Sequence, residues 1–177
     1  ELLGEHGCIN HGAMVWEELL RTPCVLHCPA LIPPGGTRSL TSGMDIVPTV
    51  MALMGITATD SLKIDGINAL AHSGGERSLV VDSPAAVLPG RYRKFPNLLK
   101  AVNVIRRAIR TPRFKYVWQS DKDHRLYDMI GDPGEQANLL HLKPRLAGGL
   151  LKEMMAFYKR VRPGFRIEEY HVPISPN

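Results

Sequence analysis

The 177 residues, 44% of them hydrophobic and 22% charged, are enough for a domain that buries a core, so a chain too polar to fold is set aside. No run of 18 or more apolar residues occurs, nor a basic segment followed by an apolar stretch and a small-residue cleavage site, so no membrane-spanning or targeting segment is read here. The formal charge of +5 is uneven, with nine basic residues and no acidic one from Arg91 to Lys115, and the odd number of cysteines (Cys8, Cys24 and Cys28) argues against a disulfide framework.

The opening stretch ELLGEHGCINHG is polar and turn-rich, with His6 and His11 beside glycines and near Glu1 and Glu5. Arg21 to Cys28, RTPCVLHC, is a short apolar run bounded by Pro23 and Pro29 and predicts a buried strand of a parallel sheet. PALIPPGGTRS reads as a loop. In SGMDIVPTVMALMG the residues Ile46, Val47, Val50, Met51, Leu53 and Met54 recur at the spacing of one helical face. Ser42 or Asp45 can cap that helix, Pro48 is tolerated in its first turn, and Gly55 stops it.

Ser78 to Ser83, SLVVDS, predicts a strand, and Ala108 to Trp118, AIRTPRFKYVW, a hairpin turning at Thr111-Pro112. Alternation puts Phe114, Tyr116 and Trp118 on one face of that hairpin and Lys115 and Val117 on the other. YDMIGDPGEQANLL is turn-rich and tightest at Asp132-Pro133-Gly134. From Lys143 to Val161, one stripe of Leu146, Leu150, Leu151, Met154, Phe157, Tyr158 and Val161 predicts an amphipathic helix packed on the hairpin sheet. Pro163 to Asn177 reads as irregular, and there is no internal repeat. A strand and helix followed by a small sheet and a helix make part of an α/β architecture joined to a small α+β unit.

Three constellations carry chemistry. Cys8-x2-His11 and Cys24-x3-Cys28 offer zinc-ligand residue types, but on a strand Cys24 and Cys28 stand about 13 Å apart, too far to share an ion bound at about 2.3 Å. They read instead as small buried hydrophobes. The basic stretch from Arg91, with Tyr92, Phe95, Phe114, Tyr116 and Trp118, has the ingredients of a nucleic-acid surface but no glycine-bearing aromatic motif of the RNA-binding type. It reads as a solvated or anion-attracting face, and no nucleic-acid partner is expected. Histidines beside glycines suit close backbone approach to a small polar group, while hydrogen bonding within the loop is the plainer reading, the stronger one for His6.

The blocks LGEHGCINHGAMVWEELLRTPCVLHCP, GGTRSLTSGMDIVPTVMALMGI, IDGINAL, RAIRTPRFKYVW and RLYDMIGDPGEQANLL, in that order, resemble the C-terminal half of the sulfatases, of the alkaline-phosphatase superfamily. The resemblance covers most of residues 1–142. It implies the C-terminal part of a sulfatase-like α/β fold ending in a small antiparallel sheet packed by a C-terminal helix. Residues 1–77 would close the main α/β domain, 78–162 would form the C-terminal α+β subdomain, and 163–177 an irregular tail.

The resemblance further implies a sulfuric ester hydrolase acting on an anionic sulfate-ester small molecule or glycan. Such enzymes use a formylglycine made from the cysteine of Cys-x-Pro-x-Arg and a divalent cation, usually calcium, held by acidic side chains and an Asn or His. None of Cys8, Cys24 and Cys28 begins that motif. The metal-binding Asp-His-Gly or Asp-Asn-Gly stretch would immediately precede the segment matching Glu1 to Gly7. Nucleophile and metal ligands are therefore expected upstream of residue 1, on a missing N-terminal half, with no metal ligand in this chain and no activity in it alone. His11 stands where relatives place a basic residue, usually lysine, against the sulfate, and is the candidate sulfate contact or proton donor. A phosphoric or phosphonic ester hydrolase of the same superfamily and a non-catalytic relic or binding module are the alternatives, and compartment stays open.

Overall fold

The computed structural model describes residues 1–10, 14–36, 39–57, 64–72, 76–83 and 104–167. They divide into two compact units, one from the described residues of Glu1–Thr22 and Val80–Asn177, the other from Pro23–Leu79.

The first unit is built on a four-stranded sheet ordered β3 (Leu79–Ser83), β4 (Arg106–Arg110), β5 (Phe114–Gln119), β6 (Arg125–Asp128). β4 and β5 form the expected hairpin, antiparallel with Arg106 opposite Gln119 and Arg110 opposite Lys115. Thr111 closes it, its hydroxyl and backbone N–H both bonded to the Phe114 carbonyl at 3.0 and 2.8 Å. β6 continues antiparallel, Phe114 opposite Asp128 and Val117 opposite Arg125.

Period-two alternation assigns the two faces. On one, Ile105, Ile109, Tyr116, Trp118 and Leu126 form a cluster with Ala147, Leu150, Met154 and Tyr158, and Phe114 packs at its edge. These last four belong to α3 (Pro144–Val161), the expected C-terminal helix, with Pro144 in its first turn and Lys159 and Arg160 in its last, where cations suit the helix dipole. Its stripe runs through Ala147 and ends at Tyr158, and Val161 is exposed. On the other face Ala108, Val117, Tyr127 and Met129 pack with Val15, near the four-residue helix α1 (Glu17–Leu20). Pro163 to Ile167 follow α3 without regular structure, and the rest of the expected tail lies outside the described residues.

One expectation is corrected in the segment that leads into the second unit. Arg21 to Cys28 is not a strand, and Val25 is 88% exposed. Strands exist by pairing, and among the described residues none lies alongside this segment, in which Pro23 has no N–H to give. The helix is present as a 3-10 turn, Gly43–Asp45, running into α2 (Ile46–Leu53). Ser42 caps it, its hydroxyl accepting from Met44 N while Asp45 accepts from Ser42 N at 2.8 Å, and Gly55 stops it at φ +66°. Its buried side is the polar one. Asp45 and Thr49 are 2% and 1% exposed, whereas Ile46, Val47, Val50 and Met54 are exposed.

The polar side turns inward because the chain at Ile67–Ala69 hydrogen-bonds to it. Ile67 N donates to Asp45 Oδ1 at 3.0 Å, Ala69 N donates to Thr49 Oγ1 at 2.9 Å, and Thr49 donates to the Asp45 carbonyl at 2.6 Å. Gly66 permits the approach, since a Cβ there would stand 2.0 Å from the Met44 carbonyl oxygen. Arg77 completes the carboxylate's shell at 2.5 and 2.9 Å.

Burial alone raises the Asp45 carboxyl, but the bonds from Arg77, Ile67 and Ser42 outweigh it and hold the group below the ordinary carboxylate range. A depressed acid stabilises the fold above its unfolded value of about 3.9, and that contribution is lost as pH falls through the folded value. Amide protection factors over Ile46–Leu53 are therefore expected to fall between pH 7 and pH 3, and Asp45→Asn to lower them already at pH 7. Unchanged protection at pH 3 would contradict this role for Asp45.

Candidate functional site

The histidine loop begins in a short ladder, β1 (Leu2–Leu3) antiparallel to β2 (Ile9–Asn10), with Leu2 opposite Asn10 and Leu3 opposite Ile9. The link between them turns sharply: Gly4, His6 and Gly7 all have positive φ, at 132°, 55° and 68°. Glycine takes such angles freely, but for His6 the left-handed region costs about 1–2 kcal/mol. Glu5 braces the turn by accepting Leu3 N at 2.6 Å, a bond that holds its carboxyl below the ordinary value.

Contacts of the imidazole offset the strain at His6. Its ring stacks on Trp16 with centroids 3.9 Å apart and planes 7° from parallel, and Nε2 lies 3.4 Å from Glu18 Oε2. The Trp16 ring also meets Tyr127 at 5.9 Å and the Arg125 guanidinium at 5.7 Å.

Directly after Trp16, Glu17 enters a charge network. Its carboxylate accepts from Arg110 Nε at 3.2 Å and Lys115 Nζ at 3.4 Å, and its backbone N–H donates to Glu135 Oε2 at 2.7 Å. Lys115 Nζ and Glu135 Oε1 are 2.9 Å apart, both side chains fully buried. Burial pushes the Glu135 carboxyl up, and the neighbouring ammonium opposes the shift. The Asp132-Pro133-Gly134 turn aims Glu135 inward. Asp132 accepts from Gln136 N and Ala137 N at 3.0 and 2.8 Å, and Glu135 itself sits at φ 52°.

The described part of the basic stretch is not the expected solvated face. Arg107 is fully buried, 3.1 Å from Asp82 Oδ1 and within 4.9 to 5.6 Å of the Phe165, Trp118 and Tyr158 rings. It also donates to the Ile167 carbonyl, and the Tyr158 hydroxyl donates to Asp82, burial and that carboxylate together raising the phenol. Arg106 bonds Gln119 Oε1 at 2.9 Å and the Val104 carbonyl at 3.1 Å. Of Arg106, Arg107, Arg110, Arg113 and Lys115, Arg113 alone is well exposed, and it pairs with Asp128 at 2.9 Å. The reason is that this strand pair is covered on both faces, so its cations are desolvated and must be paired. Residues 91–103 lie outside the described set.

His11 also lies outside the described residues, and with it the Cys8-x2-His11 pair. Cys24 and Cys28 are free thiols, one exposed and one half-buried, and without a strand the spacing argument against a shared ion no longer applies to them. Among the described residues no group of three or more His, Cys, Asp or Glu side chains could hold a metal ion. Trp16, Glu17 and Glu135 were not singled out from sequence, because Glu17 meets its partners 93 to 118 residues away, beyond the reach of any local pattern.

Residues 4–156 match the family model described as N-sulphoglucosamine sulphohydrolase, C-terminal. The chain is 28% identical over 145 residues to the uncharacterized sulfatase YidJ of Escherichia coli, covering 79% of this chain and 26% of that protein. It is 25% identical over 132 residues to an ulvan-active sulfatase of Formosa agariphila, covering 72% and 24%. Among solved structures it is similar to the sulfatase yidJ of Bacteroides fragilis, TM-score 0.57 at 14% identity over 77% of this chain and 29% of that one. A 2-O GAG sulfatase superposes with TM-score 0.50 at 22% identity, over 67% of this chain and 25% of that one. At such identities the likeness shows the fold, the alkaline-phosphatase-like fold of sulfatases. The chain spans about a quarter of the length of the curated relatives it matches.

Proposed function

The chain belongs to the sulfatases, in the family of N-sulphoglucosamine sulphohydrolase C-terminal regions, and on that premise we propose that it is the C-terminal part of an enzyme that hydrolyses sulfate esters. Residues 1–77 then close the main α/β domain and 78–162 form the C-terminal subdomain. The observation that carries the reading is the family match over residues 4–156, a span that takes in His6, His11, the hairpin and most of α3. The substrate class is an anionic sulfated small molecule or glycan, in keeping with the sulfated amino sugar in the family's description.

Hydrolysis of a sulfate ester needs its non-bridging oxygens held and its leaving oxygen stabilised. A formylglycine nucleophile and a divalent cation such as calcium would supply attack and charge neutralisation from residues outside this chain. The 177 residues alone are therefore expected to turn over no aryl sulfate. This chain's own contribution is His11, an imidazole that can donate to a sulfate oxygen or give a proton to the departing alkoxide.

A hydrogen bond to a charged oxygen is worth about 1.5–3 kcal/mol, so in the sulfatase polypeptide carrying this chain His11→Ala should lower kcat/KM roughly ten- to a hundredfold. His11→Lys should recover part of the loss if the contact is electrostatic and little if the imidazole transfers a proton. Wild-type kcat/KM in His11→Ala would refute the assignment. Turnover of phosphonate or phosphate esters in preference to sulfate esters would move the protein to the phosphoryl-transfer branch, and turnover of neither would mark it as a binding module.

A further inference from the structure

Between the first two turns of α3 and β5 lies a groove of about 490 Å³, within the size range of small-molecule sites. Pro144, Ala147, Gly148 and Leu151 of α3 and Leu140 before it line one part, and Tyr116 of β5 lines another. Tyr116 is 2% exposed, and among the described residues its hydroxyl has no hydrogen-bond partner. Tyr158, the other buried phenol on this face of the sheet, donates to Asp82. A phenol so deeply seated normally has an acceptor, and burial alone already raises this one above its ordinary value. Gly148 is the second unusual feature. Glycine weakens a helix interior relative to alanine, yet nothing stands within 4 Å of where a Cβ of Gly148 would lie, so no packing among the described residues calls for glycine there. Its bare Cα keeps the groove open. His141 is the other side chain of the groove that can hydrogen-bond, and no carboxylate, lysine or arginine belongs to it. A charged group seated here would lose hydration with no opposing charge to offset the loss, so the groove suits an uncharged ligand with one apolar side and hydrogen-bonding groups on the other.

We propose that this groove binds an uncharged acetamido-sugar unit, N-acetylglucosamine in type, of a sulfated glycan. The choice of a sugar rests on the glycan reading given above. An acetamido sugar brings the two features the groove asks for: a carbonyl that accepts from the Tyr116 hydroxyl, and a methyl and a C–H ring face that cover Leu140 and Leu151. Its ring hydroxyls suit His141 at the exposed edge. A unit held here keeps the rest of a polymer at high effective concentration on the protein, a gain in affinity that needs no contact with the bond being cleaved.

The test is a titration of the sulfatase polypeptide carrying this chain with N-acetylglucosamine, read on the methyl resonances of Leu140 and Leu151. Saturable shifts are expected with a Kd on the order of 1–10 mM, in keeping with a single sugar of this size. Tyr116→Phe, which removes only the hydroxyl, should weaken binding about three- to tenfold. Gly148→Leu should abolish it by filling the groove, with the fold kept because leucine is the better helix former. Should that variant fail to fold by thermal melting, Gly148→Met, equally long and unbranched, decides in its place. Shifts that do not saturate, that survive the filling of the groove, or that keep wild-type affinity in Tyr116→Phe overturn the proposal. Saturation by N-acetyl-leucine amide with no response to the sugar overturns it as well and marks the groove as a protein-docking site. The titration needs no turnover, so the two readings fail separately. A protein that binds the sugar in this way and hydrolyses no sulfate ester keeps the site and loses the sulfatase reading, whereas one that hydrolyses an aryl sulfate and fails the titration loses the site alone.

Discussion

Lys115→Met is expected to lower stability by about 3–5 kcal/mol, read as a fall in the urea midpoint without a change of slope. The ammonium is fully buried, 2.9 Å from Glu135 and 3.4 Å from Glu17, and Glu135 is buried with it. Removing the cation leaves a desolvated carboxylate with no opposing charge, and Arg110, which contacts Glu17, does not replace it. Burial already pushes the Glu135 carboxyl up, and without Lys115 it rises further. An acid raised in the folded state costs nothing below its unfolded value of about 4.3 and destabilises increasingly as pH climbs through its folded value. The deficit of Lys115→Met should therefore shrink toward acid pH, and adding Glu135→Leu should restore most of the loss at pH 7. A deficit under about 1 kcal/mol at pH 7 would mean that the pair is solvated and the network holds nothing together.

Met154→Ala is expected to cost about 2–5 kcal/mol, the range for emptying a buried site of this size. Met154 is fully buried midway along the α3 stripe, with Leu150 and Tyr158 one turn to either side and all three in the cluster of Ile109, Tyr116, Trp118 and Leu126. Met154→Leu, which nearly conserves volume, should cost less than about 1.5 kcal/mol. The contrast separates cavity formation from any intrinsic preference of the helix, because alanine is the better helix former of the two. Equal stability of the alanine and leucine variants in urea would show that α3 is not seated on the sheet through this residue.

These expectations draw on features that differ in how far they can be read along the chain. The hairpin at Thr111-Pro112, the helix over Pro144–Val161, the stop at Gly55 and the cap at Ser42 were legible, because each follows from neighbours within about four residues: alternation, a 3.6-residue stripe, a positive φ, a hydroxyl beside N–H groups that have no carbonyl. Family membership was legible from ordered blocks for the same reason, since each block is a local word. Tertiary structure decided which groups are desolvated. The apolar stripe of α2 stands exposed while its polar side is buried, because the backbone amides of Ile67 and Ala69 bind Asp45 and Thr49 there. Arg21–Cys28 has the composition of a strand, yet composition supplies no partner for its amides. The cations of β4 and β5 looked like a solvated face until Asp82, Glu17 and Glu135 were brought against them from distant parts of the chain. Local patterns specify backbone conformation because they depend on bonded geometry and nearest neighbours, whereas charge pairing and burial depend on which distant segments meet, and that is settled only by the folded chain.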